Sequence, residues 1–339
     1  MKVAVFDTHK YERATLTAQN EGTGHELVFF EEKLKPGTAV LATGCQAVTA
    51  FVNDRLTRET IATLHGLGVR IIAMRCAGYN NVDLEAAADL DMPVVRVPEY
   101  SPYAVAEHAV TLLMALNRKI TRACSRVHDN NFSLDGLVGF DVHGKTVGVL
   151  GTGKIGLCFA RIMKGFGTRI LAYDAFPRQQ LADEIGFEYA PLDKVLAQSD
   201  IVSLHVPLLP DTLHLIDEAA IAKMKHGAYL INTSRGPLVD AKALIGGLKT
   251  GQIGAAGLDV YEEEEHLFFR DLSDKILQDD VLARLLSFTN VIVTSHQAFL
   301  TIDALNNIAS TTWANLAAFE RGEPLKNEVL DVKKKRASA

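Results

Sequence analysis

The sequence predicts an α/β protein of two domains, and three observations carry that reading. The chain is 339 residues long, past the size at which one hydrophobic core usually stops growing. Short β-branched runs alternate with longer segments of helical period, the pattern of βαβ units and a parallel sheet. Regular structure is interrupted at Pro98-Glu-Tyr-Ser-Pro102, where two prolines stop any helix or strand. A hydrophobic fraction of 48% beside 22% charged residues supplies enough apolar surface to offset chain ordering, which excludes wholesale disorder.

In order along the chain, Lys2–Phe6, His25–Phe30, Arg70–Met74 and Val94–Val97 read as strands, and Thr57–Leu67 and Val82–Leu90 as helices. After the prolines, the stripe Val105, Ala109, Leu112, Leu113, Leu116 and Ile120 predicts one long helix leading into the second domain. Strand and helix then alternate from Thr146 to Thr294 without a clear break. Leu305, Ile308, Ala309, Thr312, Trp313, Leu316 and Phe319 mark a further amphipathic helix, stopped at Arg321-Gly-Glu-Pro324 as a helix should be. Asn327–Val332 reads as a last strand. This closing stretch is too short to fold alone, so it is expected to return to the first domain. The expected division is residues 1–100 with 299–339, and residues 101–298, with a cleft between the two.

The composition also excludes functions. A net charge of -6, with both signs scattered, leaves no extended basic surface for a nucleic acid. The one basic run, Lys333–Arg336, falls in the C-terminal tail and reads as a solvated end. Cys45, Cys76, Cys124 and Cys158 lie far apart with no C-x-x-C pair, which fits reduced thiols in the cytoplasm. Met1–Asp7 reads as a short strand without the cationic and apolar regions of an export signal, and no apolar run approaches the ~20 residues of a membrane span, so a protein neither exported nor inserted is expected.

The most informative segment is Thr146-Val-Gly-Val-Leu-Gly-Thr-Gly-Lys-Ile-Gly156, a strand that runs into Gly151-x-Gly153-x-x-Gly156 and then into the stripe Ile155, Phe159, Ile162, Met163, Phe166. Gly151 permits the tight turn, Gly153 lets backbone approach a pyrophosphate, and Gly156 lets helix and strand pack closely. A second strand, Arg169-Ile-Leu-Ala-Tyr-Asp174, ends in the acid that a ribose hydroxyl pair requires. Its carboxylate would repel a 2′-phosphate, so NAD is expected over NADP, with Arg178 nearby as the one contrary feature. Strand, glycines, helix and acid together predict a Rossmann-type doubly wound sheet. No Gly-Lys-Ser/Thr closes the loop, which excludes a Walker phosphate loop.

Hydride transfer to a ketone needs a cation to hold and polarise the substrate, a proton donor, and a group that tunes the donor. Three strand-like segments end in suitable residues: Leu230-Ile-Asn-Thr-Ser-Arg-Gly236, Gly257-Leu-Asp-Val-Tyr-Glu-Glu-Glu-Glu265 and Val291-Ile-Val-Thr-Ser-His296. In open α/β sheets ligands bind at that carboxyl edge. Composition alone leaves Arg235 equally a surface ion-pair partner, the glutamate run a solvated loop, and His296 one of eleven histidines.

These segments together with the fingerprint resemble the D-isomer-specific 2-hydroxyacid dehydrogenase family over nearly the whole chain. Arg75-Cys-Ala-Gly-Tyr-Asn-Asn-Val-Asp83, Val97-Pro-Glu-Tyr-Ser-Pro-Tyr-Ala-Val-Ala-Glu107 and His296-Gln-Ala-Phe-Leu-Thr301 are most similar to its fermentative bacterial D-lactate branch. The resemblance implies a smaller flavodoxin-like α/β domain beside the Rossmann domain. It implies Arg235 as carboxylate and carbonyl ligand, His296 as acid/base and Glu264 as its partner, five residues beyond Asp259. Asp259 is similar to the acid that the family places near the nicotinamide. The Ala77-Gly78 loop resembles a backbone cradle for the substrate carboxylate, and Tyr100 and Phe299 resemble pocket residues, although Phe299 also reads as core packing. Lys154, Ile155, Val206, Pro207, Thr233 and Ser234 match cofactor-contacting positions, and no metal is implied. Ser295 and Gln297 depart from the proline and aliphatic residue common on either side of the family's histidine.

The implied reaction is reversible, NADH-dependent reduction of pyruvate to D-lactate, with bulky Tyr100 and Phe299 favouring a small methyl ketone. Two alternatives stay open. Another 2-keto acid, such as glyoxylate, hydroxypyruvate or a bulkier one, would use the same residues. An NADH-sensing, corepressor-like interaction protein would bind cofactor with little turnover. Family resemblance also implies a homo-oligomer, dimer or tetramer.

Overall fold

The computed structural model describes residues 1–264 and 267–329. The basic run Lys333–Arg336, residues 330–332 of the expected last strand, and Glu265 of the acidic run lie outside them. The chain divides into two compact units, Met1–Ser101 with the described part of 300–339, and Pro102–Phe299.

In the first unit, β1 (Lys2–Val5), β2 (Glu26–Phe29), β3 (Ala47–Ala50), β4 (Ile71–Met74) and β5 (Val94–Val95) form one sheet in the order β2-β1-β3-β4-β5. All its ladders are parallel, and the order is that of flavodoxin-like sheets. The helix Ile302–Glu320 returns to this sheet. Its Ala309, Trp313 and Leu316 are buried with Val3, Val5, Ala47, Ile71 and Val95, and the Trp313 indole donates to the Leu16 carbonyl at 2.9 Å. Thr57 caps the helix Arg58–Gly66 through its hydroxyl, within a residue of the sequence expectation at each end.

Two elements of this unit were not expected from the sequence. The helix Lys10–Asn20 buries only Glu12 and Leu16, so it shows almost no apolar stripe. The fully buried strand β3 is only four residues long, half of them alanine, and carries little β signal. Among the described residues of the expected last strand, Glu328 forms an isolated antiparallel bridge to Val95, flanked by the hydrogen bonds Arg96 N–H to the Asn327 carbonyl and Val329 N–H to the Val94 carbonyl.

The second unit holds β6 (Thr146–Leu150), β7 (Arg169–Tyr173), β8 (Glu188–Tyr189), β9 (Ile201–Leu204), β10 (Ala228–Asn232), β11 (Ile253–Leu258) and β12 (Val291–Val293). They form one sheet in the order β12-β11-β10-β9-β6-β7-β8, again wholly parallel. Counted from β6, this is the 3-2-1-4-5-6 order of a Rossmann fold extended by one strand, with the switch point between β6 and β9. Apolar layers cover both faces, as all-parallel sheets require. The expected single long helix is two, Pro102–Asn117 and Ile120–His128, because Lys119 adopts a left-handed φ of 50° and turns the chain.

Candidate active site

The fingerprint loop forms at the carboxyl end of β6, beside the switch point. Gly151 takes a φ of +96°, and a Cβ at Gly156 would lie 2.0 Å from the Gly151 carbonyl oxygen, so the helix Lys154–Gly165 can start this close to the strand only with glycine there. Gly153 caps that helix without a side chain, and a Cβ added to it would meet nothing within 4 Å. The space in front of the helix N-terminus is therefore open for an anion. Lys154 is exposed and Ile155 half-buried on the first turn.

Asp174, at the end of β7, takes hydrogen bonds from the Thr152 N–H at 2.6 Å and hydroxyl at 2.8 Å, and from the Phe176 N–H at 2.8 Å. Burial pushes this carboxyl up, but those donors and the Arg178 charge outweigh it and hold the carboxyl below the ordinary range. A charged carboxylate has about four lone-pair directions, so acceptor capacity remains for a ribose. The Arg178 guanidinium is engaged by the Thr152 carbonyl. Ser234 donates to the Val206 carbonyl at 2.6 Å, which ties the segment after β10 to the Val206-Pro207 segment after β9. The buried Thr233 hydroxyl has no hydrogen-bond partner among the described residues. A buried hydroxyl left unmade costs free energy, so this orphan suits a bound group. Loop, acid and orphan hydroxyl together fit a dinucleotide.

The chemistry-bearing residues stand beyond three neighbouring strands. Arg235 follows β10, Asp259 and Glu264 follow β11, and His296 follows β12, with Asn232 in register with Leu258 and Leu258 with Val293. His296 Nδ1 lies 2.7 Å from Glu264 Oε1, and the two side chains keep 17% and 18% exposure. The other Glu264 oxygen accepts the Tyr261 N–H at 3.0 Å, fixing the carboxylate. With Nδ1–H given to Glu264, Nε2 is the ring nitrogen left for a reacting group. Glu262, two residues earlier, instead contacts His214 Nε2 at 2.7 Å. Phe269 covers the His296 ring at a centroid distance of 5.9 Å.

Arg235 is half-buried; its Nη1 donates to the Ser234 carbonyl at 2.7 Å, and its own carbonyl accepts from Asn232 Nδ2 at 2.8 Å. Among the described residues no carboxylate pairs with its guanidinium, which leaves that charge for a ligand. Phe299 is 7% exposed, so packing accounts for most of its surface.

In the other unit, Ala77 and Gly78 follow β4. Their carbonyls are engaged by Arg96 Nη1 at 2.7 Å and Cys76 Sγ at 3.2 Å, while neither N–H meets a protein acceptor among the described residues. Tyr100 is half-buried beyond β5, its carbonyl held by Asn307 Nδ2 at 2.6 Å.

Asp259 differs from a residue that faces ligand. It is 0% exposed, and its carboxylate accepts the Thr294 hydroxyl at 2.6 Å and the N–H groups of Gln297 and Ala298 at 2.8 and 2.9 Å. Burial pushes this carboxyl up, yet the hydrogen bonds from His108, Thr294 and Ala298 and the charge of His296 hold it below the usual carboxylate range. Sequence reasoning missed His108 and Thr294. Their only signal is a polar residue inside each apolar element, which does not disclose that they meet.

Comparison with known proteins agrees with this geometry. Residues 110–298 match the pattern that describes the NAD-binding domain of D-isomer specific 2-hydroxyacid dehydrogenases. The chain is 51% identical to D-lactate dehydrogenase of Escherichia coli over 330 residues, 97% of this chain and 100% of that one. It is similar in structure to the pyruvate reductase of Chlamydomonas reinhardtii, with a TM-score of 0.92 and 46% identity, covering 96% of this chain and 98% of that one. An NAD+-bound D-lactate dehydrogenase from Lactobacillus jensenii superposes with a TM-score of 0.82 at 34% identity, covering 97% and 100%. The chain belongs to the family of NAD-dependent, D-isomer-specific 2-hydroxyacid dehydrogenases.

Proposed function

We propose that this enzyme reduces pyruvate to D-lactate with NADH, and that Arg235, His296 and Glu264 carry the reaction. The observation that carries the residue roles is the 2.7 Å contact of His296 with Glu264 beyond β11 and β12, beside an arginine whose charge meets no carboxylate among the described residues. Similarity to a D-lactate dehydrogenase and to a pyruvate reductase supports pyruvate as substrate. When bound, NADH supplies the hydride. Arg235 binds the substrate carboxylate with its planar fork and draws electron density from the neighbouring carbonyl. His296, held at Nδ1 by Glu264, carries on Nε2 the proton that the ketone oxygen takes up, and in the reverse direction it receives the hydroxyl proton. We read the unpaired Ala77 and Gly78 N–H groups as carboxylate donors, Tyr100 and Phe299 as residues that favour a small substrate, and Asp174, Gly153, Val206, Pro207, Thr233 and Ser234 as the cofactor seat.

Steady-state kinetics of Arg235→Lys and His296→Asn test these roles. Removing a charge-assisted contact or a proton donor costs roughly 10²- to 10⁴-fold in kcat/KM for pyruvate, and the variants should keep NADH affinity. A substitution that left kcat/KM within twofold would remove that residue from the mechanism.

The same reading places the enzyme in the cytoplasm as a homo-oligomer, dimer or tetramer. None of the four cysteines is bridged to another, which supports a reducing compartment, and no described helix is long and apolar enough to cross a membrane. The helix Ile120–His128 buries none of its residues, and Val127, Phe132, Leu134 and Val138 near it are all exposed. Such an apolar surface supports a second copy as its cover.

A further inference from the structure

We propose that His108 is a positioning residue for the acid/base: it holds the buried Asp259 carboxylate around which the His296 loop is wound. The proposal rests on the reading of His296 given above.

His296 adopts a left-handed φ of 49°, a conformation that is unfavourable for a non-glycine residue and persists only where its surroundings impose it. Asp259 imposes it from both ends of the residue. The Asp259 carbonyl accepts the His296 N–H at 2.7 Å, while its side chain takes the N–H groups of Gln297 and Ala298 and the Thr294 hydroxyl. The residues on either side of His296 are therefore anchored to one carboxylate, which sets where the imidazole can stand.

A fully buried carboxylate is stable only if it is satisfied by donors or a neighbouring positive charge. Among the described residues the other donors to this carboxylate all come from the segment after β12, whereas His108 comes from a helix. Its Nε2 lies 3.3 Å from Asp259 Oδ1 and 3.1 Å from Thr294 Oγ1. Thr294 has one hydroxyl hydrogen, and it is given to Asp259 at 2.6 Å. Toward His108 that hydroxyl only accepts, so His108 Nε2 must carry a hydrogen. The chain His108, Thr294, Asp259 therefore has one direction of donation.

The fold is built to bring His108 there. His108 and Leu112 stand one turn apart on the helix Pro102–Asn117 and share a face. A Cβ at Gly257, two residues before Asp259 on β11, would lie 3.0 Å from the Leu112 Cβ and 3.1 Å from Leu116 Cδ1. Glycine at 257 lets the helix lie close to β11, and the turn carrying His108 then reaches the strand ends. His108 contacts Thr294 and Asp259 and acts through Asp259 on the position of His296.

The test compares His108→Leu, His108→Gln, Thr294→Val and the double variant His108→Leu/Thr294→Val in the full-length enzyme, with His296→Asn as reference. Loss of a hydrogen bond to a buried charge predicts a fall in kcat of roughly 10- to 100-fold for His108→Leu, with the Kd for NADH within twofold of wild type. His108→Gln, which keeps an N–H donor, should recover most of that kcat. Because both side chains act through one carboxylate, the double variant should lose clearly less than the product of the two single losses. If His108→Leu does not fold, the Gln and Val variants still decide the matter. A His108→Leu enzyme with kcat within twofold of wild type would overturn the proposal, as would Gln and Leu variants that lose equally, or fully multiplicative losses. His296→Asn separates the two layers: its inactivity beside a normal His108→Leu removes only the positioning role, whereas an active His296→Asn removes the reading of His296 itself.

Discussion

Glu264 and Glu262 lie two residues apart in one acidic run, and the structure assigns them opposite consequences. Glu264→Gln keeps the size of the side chain but removes the charge that faces His296 Nδ1 at 2.7 Å. It also sets up a conflict, because Glu264 serves two donors, His296 Nδ1–H and the Tyr261 N–H, and an amide has only one oxygen to offer. A charge-assisted hydrogen bond contributes about 1.5–3 kcal/mol, so kcat/KM for pyruvate should fall roughly 10- to 150-fold. Glu262→Gln alters a half-exposed contact with His214, a class of pair worth about 0–1 kcal/mol, and should change kcat/KM less than about fivefold. The assay is NADH oxidation at saturating cofactor over a range of pyruvate, with NADH binding measured separately by fluorescence. A Glu264→Gln enzyme as active as Glu262→Gln, or a larger loss in the latter, would refute the assignment of the histidine's partner.

Three further outcomes follow from the same geometry. Burial, aided by the Asp7 charge, pushes the Asp54 carboxyl from 3.8 up to about 7; the folded state then binds a proton more readily than the unfolded chain. The stability from protonated Asp54 is full below the unfolded value and is lost as pH rises through about 7, by at most ~4 kcal/mol. Denaturant unfolding at pH 5 and pH 8 should show a smaller difference in Asp54→Asn than in wild type; an equal difference would place the dependence elsewhere. Thr233→Val should weaken NADH binding roughly 3- to 10-fold if the orphan hydroxyl meets cofactor, and unchanged affinity on titration would contradict that placement. Phe132→Glu combined with Val127→Glu should shift light-scattering mass toward the monomer, and an unchanged oligomer, or a wild type that is already monomeric, would exclude this face as the interface.

Legibility followed the locality of the physical signal. The Rossmann loop is readable because each step, from the turn at Gly151 to the acid at Asp174, is enforced by residues close in sequence, and glycine at 156 leaves no substitute where a Cβ would lie 2.0 Å from a carbonyl oxygen. The return of the last helix was readable because Trp313 and Leu316 need a core that thirty residues cannot build. Lys119 was not readable as a break, since a left-handed lysine leaves the apolar stripe of the helix intact through Ile120. Asp259 illustrates the limit at the site. Its position matched a ligand-facing acid, but it is completely buried with its carboxylate met by His108, 151 positions earlier, and by Thr294, and no spacing rule brings those three together.

The central claim is that this site converts pyruvate to one enantiomer of lactate. Its most direct test is the fall in NADH absorbance with purified enzyme and pyruvate, beside glyoxylate, hydroxypyruvate and phenylpyruvate, followed by chiral assay of the product. Pyruvate is expected to have the highest kcat/KM and to yield D-lactate alone. A preference for another keto acid, L-lactate in the product, or tight NADH binding without turnover would contradict it.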